Sequence, residues 1–462
     1  MSKGASRGFP REAAAIICLL VLGVGTRLAF AAVYPTLPFW DSLQLIHFAT
    51  RLQEHGLTAN GWYWAQYNSG LAMILSLLFR LFPADPVVVA RTATAVVTGL
   101  LALIPFLMWR SVLAFRWRIL AGALLALWPG QILFSGVVVQ DNWVMLPMVA
   151  LGCLAARRRL GGGPARPVVA GLMYASAVAI RQEMLVVLLP LVLAASLDRG
   201  ATRRRTLAIL GLTVALPILA LCAQRHAATG RFSLSTEHGA LGLFGSFMPG
   251  ASGPGWIDAR AYAATLAPDA PKKLFGDQPT LLRLTWNEIQ RRPAFHALRI
   301  ATWLPRLAVD ADSDSLLWSL GYPRSQSPDN QVSAQDLARK WTSRLKLELA
   351  LLQGLFVAAL AIGWKRRNGA ILVLSTAVLL KFLVHMVVSP LGRLVMPAIA
   401  LELLVIPLGF AELAKSSAKK RLVHAAIAVA ASLLLFFGVA PLARFVIQHD
   451  APLTLSRGPH IS

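Results

Sequence analysis

The stretch AAAIICLLVLGVGTRLAFAAVY, residues 13–34, decides the fold class of this chain. A transmembrane helix needs about 20 predominantly apolar residues to cross a hydrocarbon core of about 30 Å, and this stretch is long enough. Similar apolar runs recur along the sequence, which is 56% hydrophobic and only 14% charged. Soluble domains carry roughly 25% charged residues. The sequence therefore predicts an all-α polytopic membrane protein.

The start of this first run also resembles a secretory signal, because Lys3, Arg7 and Arg11 precede the apolar residues. The apolar core of a signal peptide is only about 7–15 residues long. The run here is longer and is interrupted by Arg27. We therefore expect an uncleaved first helix.

Many of the cations that give the chain its net charge of +24 fall in short clusters between apolar runs. Short loops rich in Lys and Arg stay on the cytoplasmic side of a membrane. The clusters therefore predict membrane topology rather than nucleic-acid binding. They are RSVLAFRWR (110–118), RRRLGGGPAR (157–166), DRGATRRR (198–205), KRRN (365–368) and KSSAKKR (415–421).

Placing the N-terminus and every cationic cluster inside predicts about eleven transmembrane helices. These are residues 13–34, 87–109, 119–138, 143–156, a hairpin of two short helices between 166 and 198, 206–223, 347–364, 369–388, 394–413 and 422–441. We expect three units along the chain. They are a seven-helix module over 1–223, an outer loop or small domain over 224–345, and helices 8–11 with an outer tail over 346–462.

The first outer loop is predicted to hold two interfacial helices, within residues 42–83. Residues 42–56 mix apolar and polar positions, which is typical of a helix lying in the membrane interface. Residues 67–83 are apolar, but a crossing there would place the cationic cluster 110–118 outside. We therefore expect residues 67–83 to form an interfacial or half-inserted helix.

Five ionisable residues gather at the outer ends of the predicted helices: Asp41, Asp141, Arg181, Glu183 and Arg393. An ionisable group at membrane depth costs at least about 2.5–3.5 kcal/mol, so its presence suggests a function. Structural roles are the alternative. Either aspartate could cap a helix, Arg181 and Glu183 could neutralise each other, and Arg393 could extend to water.

Carboxylates beside cationic groups at a bilayer surface suit transfer of a group from a lipid-linked phosphate. Such a transfer needs a base that takes the proton of the acceptor. It also needs fixed positive charge that holds the departing phosphate.

A calcium site is rejected at DADSDS (310–315), because Ser315 stands where the loop needs Gly and Gly321 where it needs Glu.

The order of these features resembles the GT-C superfamily of integral membrane glycosyltransferases. The likeness is to the branch that contains protein O-mannosyltransferases and the bacterial lipid A aminoarabinose transferase (glycosyltransferase family 39-like). It departs from that pattern at Leu394, where a Tyr is usual, and at Asn68-Ser69, where a Pro pair is usual. The stretches that carry it are TRLAF (26–30), FWDSLQLIHFATRLQEHG (39–56), YNSGLAMILSLLFRLFP (67–83), RWRILAGALLALWPGQILFSGVVVQDNW (116–143), AGLMYASAVAIRQEMLVVLLP (170–190) and GRLVMPAIALEL (392–403).

The resemblance implies that Asp41 is the catalytic base of a direct, inverting displacement, with Asp141 as the second acidic residue. Arg393 and Arg181 would hold the lipid phosphate, and Glu183 would belong to the substrate-binding set. The donor would be a polyprenyl-phosphate-linked monosaccharide, and the acceptor a glycan, lipid or protein. The cofactor is left open, and a divalent cation would be held by the two aspartates. The expected location is a bacterial inner membrane, with the site facing the periplasm.

Three rival functions stay open at this point. A lipid or glycan transporter or flippase would place charges at the membrane midplane, where Arg27 and Lys381 are candidates. A glycan polymerase or ligase would use a polyprenyl diphosphate and would need a wider cationic cleft. An inactive relative would act only as an assembly partner.

Overall fold

The computed structural model describes residues 8–36, 38, 41–58, 61–157, 163, 165–197, 200–234, 236–248, 278–316, 318–319, 328–388 and 392–438. These residues are helical and contain no β-strand. Six helical stretches among them are long and apolar enough to cross a membrane: Pro10–Val33, Pro86–Met108, Gly200–Thr229, Lys340–Arg366, Gly369–Val387 and Gly392–Leu413. The all-α polytopic class is confirmed. The number of eleven spans stays a prediction. The five other predicted spans do not coincide with any of these six long helices.

The α-helices, in chain order, are α1 (Gly8–Leu20), α2 (Thr26–Val33), α3 (Asp41–His55), α4 (Gly61–Gln66), α5 (Ser69–Leu81), α6 (Pro86–Leu100), α7 (Leu103–Met108), α8 (Phe115–Leu127), α9 (Pro129–Phe134), α10 (Gln140–Ala155), α11 (Ala165–Ile180), α12 (Leu188–Ser196), α13 (Gly200–Thr229), α14 (Glu237–Phe247), α15 (Gln278–Arg291), α16 (Pro293–Leu316), α17 (Pro328–Arg366), α18 (Gly369–Val388), α19 (Met396–Leu413) and α20 (Ala418–Leu433). A π-helical turn, Val21–Gly25, joins α1 to α2. Two 3₁₀ turns, Gln182–Val187 and Gly392–Val395, carry predicted site residues.

Arg27, one of the two mid-span charges, has a structural role. Its guanidinium is fully buried and donates to the carbonyls of Leu125 and Ala126 at 2.9 and 2.8 Å. These carbonyls lie in the last turn of α8, where no backbone N–H of the same helix is left to donate to them. Pro129 cannot donate a backbone N–H to them. The predicted span 119–138 is therefore divided into α8 and α9. Arg27 provides hydrogen bonds to the carbonyls that lose their helical partners at this break.

The first two spans approach each other closely at paired glycines. A Cβ on Gly23 would lie 2.4 Å from the carbonyl oxygen of Gly99, and a Cβ on Gly99 would lie 2.6 Å from the Cα of Val24. Small residues let membrane helices pack backbone to backbone, which is how such helices associate without a hydrophobic driving force. The contact holds the start of the chain against α6.

Helices α3 and α5 occupy the two segments predicted to be interfacial, and they pack against each other. Helix α3 buries Leu45 and Phe48, and α5 buries Leu71 and Leu75. Helix α5 has 13 residues, which at 1.5 Å per residue is about 20 Å, too short to cross the hydrocarbon core. At its start, a Cβ on Gly70 would lie 2.6 Å from the backbone of Ala179. This approach sets α5 beside the end of α11.

The segment 224–345 is largely helical in its described part. It contains the end of α13, then α14, α15, α16 and the start of α17. Helix α16 packs against α9, α17, α18 and the 3₁₀ turn Gly392–Val395. The predicted division into three units stays a prediction, but α16 is joined directly to the transmembrane body.

The rejected calcium motif lies within α16, where its acids bind other helices. Asp310 forms an ion pair with Lys346 of α17 at 2.7 Å. Asp312 is fully buried and accepts a hydrogen bond from the indole N–H of Trp128 at 2.9 Å. Burial raises the pKa of Asp312 to about 7, although the Trp128 hydrogen bond opposes the shift. These acids fix α16 to α17 and to the break between α8 and α9.

The third acid of the motif, Asp314, accepts a hydrogen bond from the backbone N–H of Gly392 at 2.6 Å. A Cβ on Gly392 would lie 2.7 Å from the Asp314 carboxylate and 2.8 Å from the backbone of Ala311. Only glycine fits this approach without displacing α16. The motif therefore holds the turn that carries Arg393.

Candidate active site

All five predicted site residues line one cavity of about 610 Å³. Each lies at or next to a helix end. Asp41 is the first residue of α3 and Asp141 the second of α10. Arg181 and Glu183 follow α11, and Arg393 lies in the turn before α19. Helix termini from four separate parts of the chain therefore meet around one space.

Asp41 and Arg393 form the more open half of this site. Their side chains are 3.3 Å apart, and the Asp41 side chain is 36% exposed while that of Arg393 is only 5% exposed. The guanidinium carbon of Arg393 lies 3.3 Å from the ring centroid of Trp318, a cation–π contact that keeps its plane in place. Arg393 Nε and Nη1 have no hydrogen-bond acceptor among the described residues.

Asp141, Arg181 and Glu183 form a second, buried half. Arg181 Nη1 lies 2.5 Å from Asp141 Oδ1, and Arg181 Nε donates to Glu183 Oε1. The Asp141 side chain is only 2% exposed. The Arg181–Glu183 pairing expected as a structural alternative is therefore present, but it extends to the candidate acid.

Two residues that sequence reasoning did not place in the site complete this half. Lys381 Nζ lies 3.2 Å from Glu183 Oε1, and His385 Nε2 lies 3.7 Å from the same oxygen. Lys381 is fully buried and His385 is 3% exposed. The signal was available, because residues four apart share one helix face. Lys381 was instead assigned to the transporter alternative, and its partner lies 198 residues away.

The charges of the buried half are mutually stabilised. Burial alone would raise the pKa of Glu183, but Arg181, Lys381 and His385 around the carboxylate lower it well below its usual range. Burial alone would lower the pKa of Arg181, but Asp141 and Glu183 raise it above its usual value. Arg181 and Glu183 therefore both stay ionised.

The helix-cap alternative for the two aspartates is not supported by their contacts. No backbone N–H among the described residues donates to either carboxylate, and Val139 is the N-cap of α10. Each aspartate is instead paired with an arginine across the cavity.

The other walls of the cavity are largely apolar. Helix α14 and the start of α15 line one side, where the backbone N–H of Thr236 donates to Gln182 of the 3₁₀ turn at 2.7 Å. Leu394, at the position where the related pattern has Tyr, is 7% exposed and also lines the cavity. The apolar lining residues include Leu45, Leu185, Val186, Leu234, Leu241, Leu243, Leu282 and Val384. The space is therefore charged at one end and apolar along its wall.

The described residues contain no group of three or more His, Cys, Asp or Glu side chains arranged to hold a metal ion. Asp41 and Asp141 are each engaged by an arginine. Each aspartate that would hold a divalent cation is therefore already paired with a positive charge.

No protein-family model and no curated protein matches the sequence. Among solved structures, the chain is similar to the archaeal oligosaccharyltransferase AglB from Archaeoglobus fulgidus in complex with an inhibitory peptide and a dolichol-phosphate. The TM-score is 0.48 at 14% sequence identity, over 96% of this chain and 56% of that one.

The apo form of the Archaeoglobus fulgidus oligosaccharyltransferase gives a TM-score of 0.46 at 15% identity, over 97% of this chain and 56% of that one. This chain thus spans little more than half the length of the structures it matches.

Proposed function

We propose that this protein is a membrane glycosyltransferase of the GT-C type. It moves a monosaccharide from a polyprenyl-phosphate donor to an acceptor hydroxyl, with inversion, on the periplasmic face of a bacterial inner membrane. The observation that carries the proposal is the pair formed by Asp41 and Arg393. An accessible carboxylate lies beside a buried guanidinium that still has free N–H groups.

Asp41 is the base in this proposal, and Asp141 is not. A general base must reach the proton it abstracts and must be free to accept it. Asp41 is 36% exposed and faces the cavity, whereas Asp141 is 2% exposed and bound to Arg181 at 2.5 Å. Asp141 instead fixes Arg181 and contributes negative charge behind it.

Arg393 holds the phosphate of the donor. Its Nε and Nη1 atoms are buried donors without an acceptor among the described residues, and such groups are costly to leave unsatisfied. Guanidinium binds phosphate oxygens through parallel N–H groups. Trp318 and the Gly392–Asp314 hydrogen bond keep Arg393 in position. Arg181 adds a second fixed cation to the same cavity.

The transfer is a single displacement. The acceptor oxygen forms a bond to the anomeric carbon while the bond from that carbon to the phosphate oxygen breaks. Asp41 takes the proton of the acceptor hydroxyl, and the electron pair of the broken bond leaves with the phosphate. Negative charge grows on the phosphate in the transition state, where Arg393 stabilises it.

The apolar wall gives a reason for a lipid-linked donor. Its leucines and valines lie beside the charged end of the same cavity, with Leu282 46% exposed and Leu185 43% exposed. An amphiphilic donor would place its phosphate and sugar among the charges and the start of its isoprenoid chain along this wall. A water-soluble nucleotide sugar would leave that wall uncovered.

The transporter alternative loses the residues that motivated it. Arg27 satisfies the carbonyls at the end of α8, and Lys381 pairs with Glu183. In reconstituted vesicles, movement of a labelled lipid without any glycosylated product would nevertheless support transport. Exclusive use of a diphosphate-linked donor over a monophosphate-linked one would support a polymerase or ligase.

The test is mass spectrometry of envelope glycans from a deletion strain, complemented at matched expression by the wild type, Asp41→Asn or Glu54→Gln. Glu54 is the control because it lies on the same helix, is about half exposed and, among the described residues, forms ion pairs with Arg51 and His55 of that helix. We expect one sugar to be missing from one glycan and restored by the wild type and the control alone. Restoration by Asp41→Asn would contradict the assignment of the base.

A further inference from the structure

A second cavity, of about 560 Å³, lies at the cationic end of the molecule. It is formed by the residues that precede α8, the end of α10, the start of α18 and the end of α19. The proposed active site lies at the opposite ends of three of these helices. Asp141 begins α10, His385 is near the end of α18, and Arg393 precedes α19.

The separation of the two cavities follows from the lengths of the helices between them. Helices α10, α18 and α19 have 16, 20 and 18 residues. At 1.5 Å per residue these helices are about 24–30 Å long, close to the thickness of the hydrocarbon core. The second cavity therefore lies at the headgroup level of the opposite leaflet, which the charge rule assigns to the cytoplasm.

The second cavity carries an excess of positive charge. Arg116, Arg157 and Lys415 line it. The Arg157 guanidinium donates to the hydroxyl of Ser111 at 3.4 Å, and neither Arg116 nor Arg157 has a carboxylate partner among the described residues. Arg116 lies 4.9 Å from the ring centroid of Trp117. Two guanidinium groups are thus available for an anion.

The carboxylate in this cavity is already engaged. Glu412 is 15% exposed and accepts hydrogen bonds from Asn368 at 3.2 Å and from Lys415 at 3.0 Å. Its pairing with Lys415 leaves the two arginines uncompensated, so the cavity keeps a net positive charge that suits a phosphate group.

The wall of the cavity also carries an aromatic group suited to the membrane interface. Trp117 is half-buried and stacks on Phe410 with ring centroids 6.2 Å apart. Tryptophan is enriched at the headgroup level, where an apolar ring meets a polar surface. Arginine binds phosphate through two parallel N–H groups. Basic pockets between membrane helices on the cytoplasmic side are suited to anionic lipid headgroups.

We infer that this second cavity binds the phosphodiester headgroup of an anionic phospholipid. Arg116 and Arg157 contact the phosphate, and Trp117 lies against the glycerol and the upper acyl chain. The bound lipid ties the loop before α8 to the ends of α10 and α19. This site is separate from the proposed active site and does not depend on the transferase assignment.

The test uses the purified full-length chain in detergent, titrated with phosphatidylglycerol, with phosphatidylcholine of the same acyl chains, or with inorganic phosphate. Binding is followed by the thermal unfolding midpoint and by native mass spectrometry of retained lipid. We expect the wild type to bind phosphatidylglycerol best. The Arg116→Gln/Arg157→Gln variant should bind it about 10- to 30-fold more weakly, since each basic residue near an anionic surface contributes about 1 kcal/mol.

The matched control is Arg203→Gln/Arg204→Gln, which removes two exposed arginines from another cationic cluster, on α13. This control should retain the wild-type affinity. Equal affinity for phosphatidylcholine, or an equal loss in the control, would overturn the inference, because the effect would then be a general one of lipid or of charge. Inorganic phosphate binding as tightly as phosphatidylglycerol would likewise overturn the lipid assignment.

Discussion

The two halves of the proposed active site contain the same kinds of residue but differ in access. In the open half, Asp41 is 36% exposed and meets a single cation, Arg393, at 3.3 Å. In the buried half, the Asp141 side chain is 2% exposed and is the first member of a series of ion pairs that continues through Arg181 and Glu183 to Lys381. A carboxylate that takes part in proton transfer must be reachable, whereas one that orients an arginine is best buried. The difference separates a chemical role from a positioning role.

The largest expected effect tests this separation directly. Asp41→Asn should lower transfer by about 10²–10⁴-fold, the usual contribution of a general base. Because Asp41 is partly exposed and lies at the start of α3, the thermal stability of Asp41→Asn should change little. Asp141→Asn should lower stability, because it leaves the buried Arg181 with one carboxylate fewer. Turnover and unfolding midpoints of both variants in one detergent would measure the contrast. Unfolding of the Asp41→Asn variant, or retained activity in it, would contradict the separation of the two roles.

Arg393 should give the next largest effect on the reaction. Removing one donor that stabilises transition-state charge lowers kcat by about 10²–10³-fold. We expect Arg393→Gln to show such a loss and Arg393→Lys to recover only part of it, since lysine lacks the fork of N–H groups. Arg51→Gln, an exposed arginine on α3, is the control. Steady-state kinetics with a polyprenyl-phosphate donor provide the measurement, and an unchanged kcat would argue against phosphate binding by Arg393.

In the buried half, Lys381→Met should act on stability. Breaking a buried ion pair by removing one partner costs about 3–5 kcal/mol. The cost here should be smaller, because Arg181 still pairs with the Glu183 carboxylate. Adding Glu183→Gln should restore part of the loss, because the uncompensated charge is then removed. Lys420→Met, at an exposed position of α20, is the control. Detergent unfolding midpoints would show the recovery, and its absence would mean that Lys381 does not act through Glu183.

The smallest effect concerns pH and α16, which holds the open half in place. Asp312 has its pKa raised from 3.8 to about 7, so the folded state binds more protons than the unfolded state between these values. The contribution of Asp312 to stability should therefore be fully present below about pH 4 and be lost as pH rises through 7. Unfolding midpoints at pH 5 and pH 8 should differ by less in Asp312→Asn than in the wild type. An identical pH dependence in both would assign the decline to other groups.

The described structure shows which sequence arguments were sufficient. Hydropathy predicted the helical class, and the amphipathic pattern with the charge rule predicted the short helices α3 and α5. Both succeed because a bilayer leaves few ways to satisfy the backbone, so that local composition dictates helix. The helix break at Pro129 was not predicted. The carbonyls that it leaves without helical partners accept hydrogen bonds from Arg27, which lies about 98 residues earlier in the chain.

Site prediction followed the same division. Placement at predicted helix ends selected the five residues that line the cavity, but it did not select Lys381, His385 or Trp318. Their roles depend on partners that are remote in the chain. Asp41 and Arg393 are 352 residues apart, and Glu183 and Lys381 are 198 apart. No local pattern connects such pairs.

The sequence by itself determined that the chain is an all-α membrane protein with acids at one set of helix ends and cations at the other. Lipid forces that outcome, since every backbone polar group must be satisfied within its own helix. Only the tertiary structure decided which carboxylate is accessible and which is buried. Exposure and ion pairing depend on how helices from distant parts of the chain pack around the cavity, and that packing distinguishes Asp41 from Asp141.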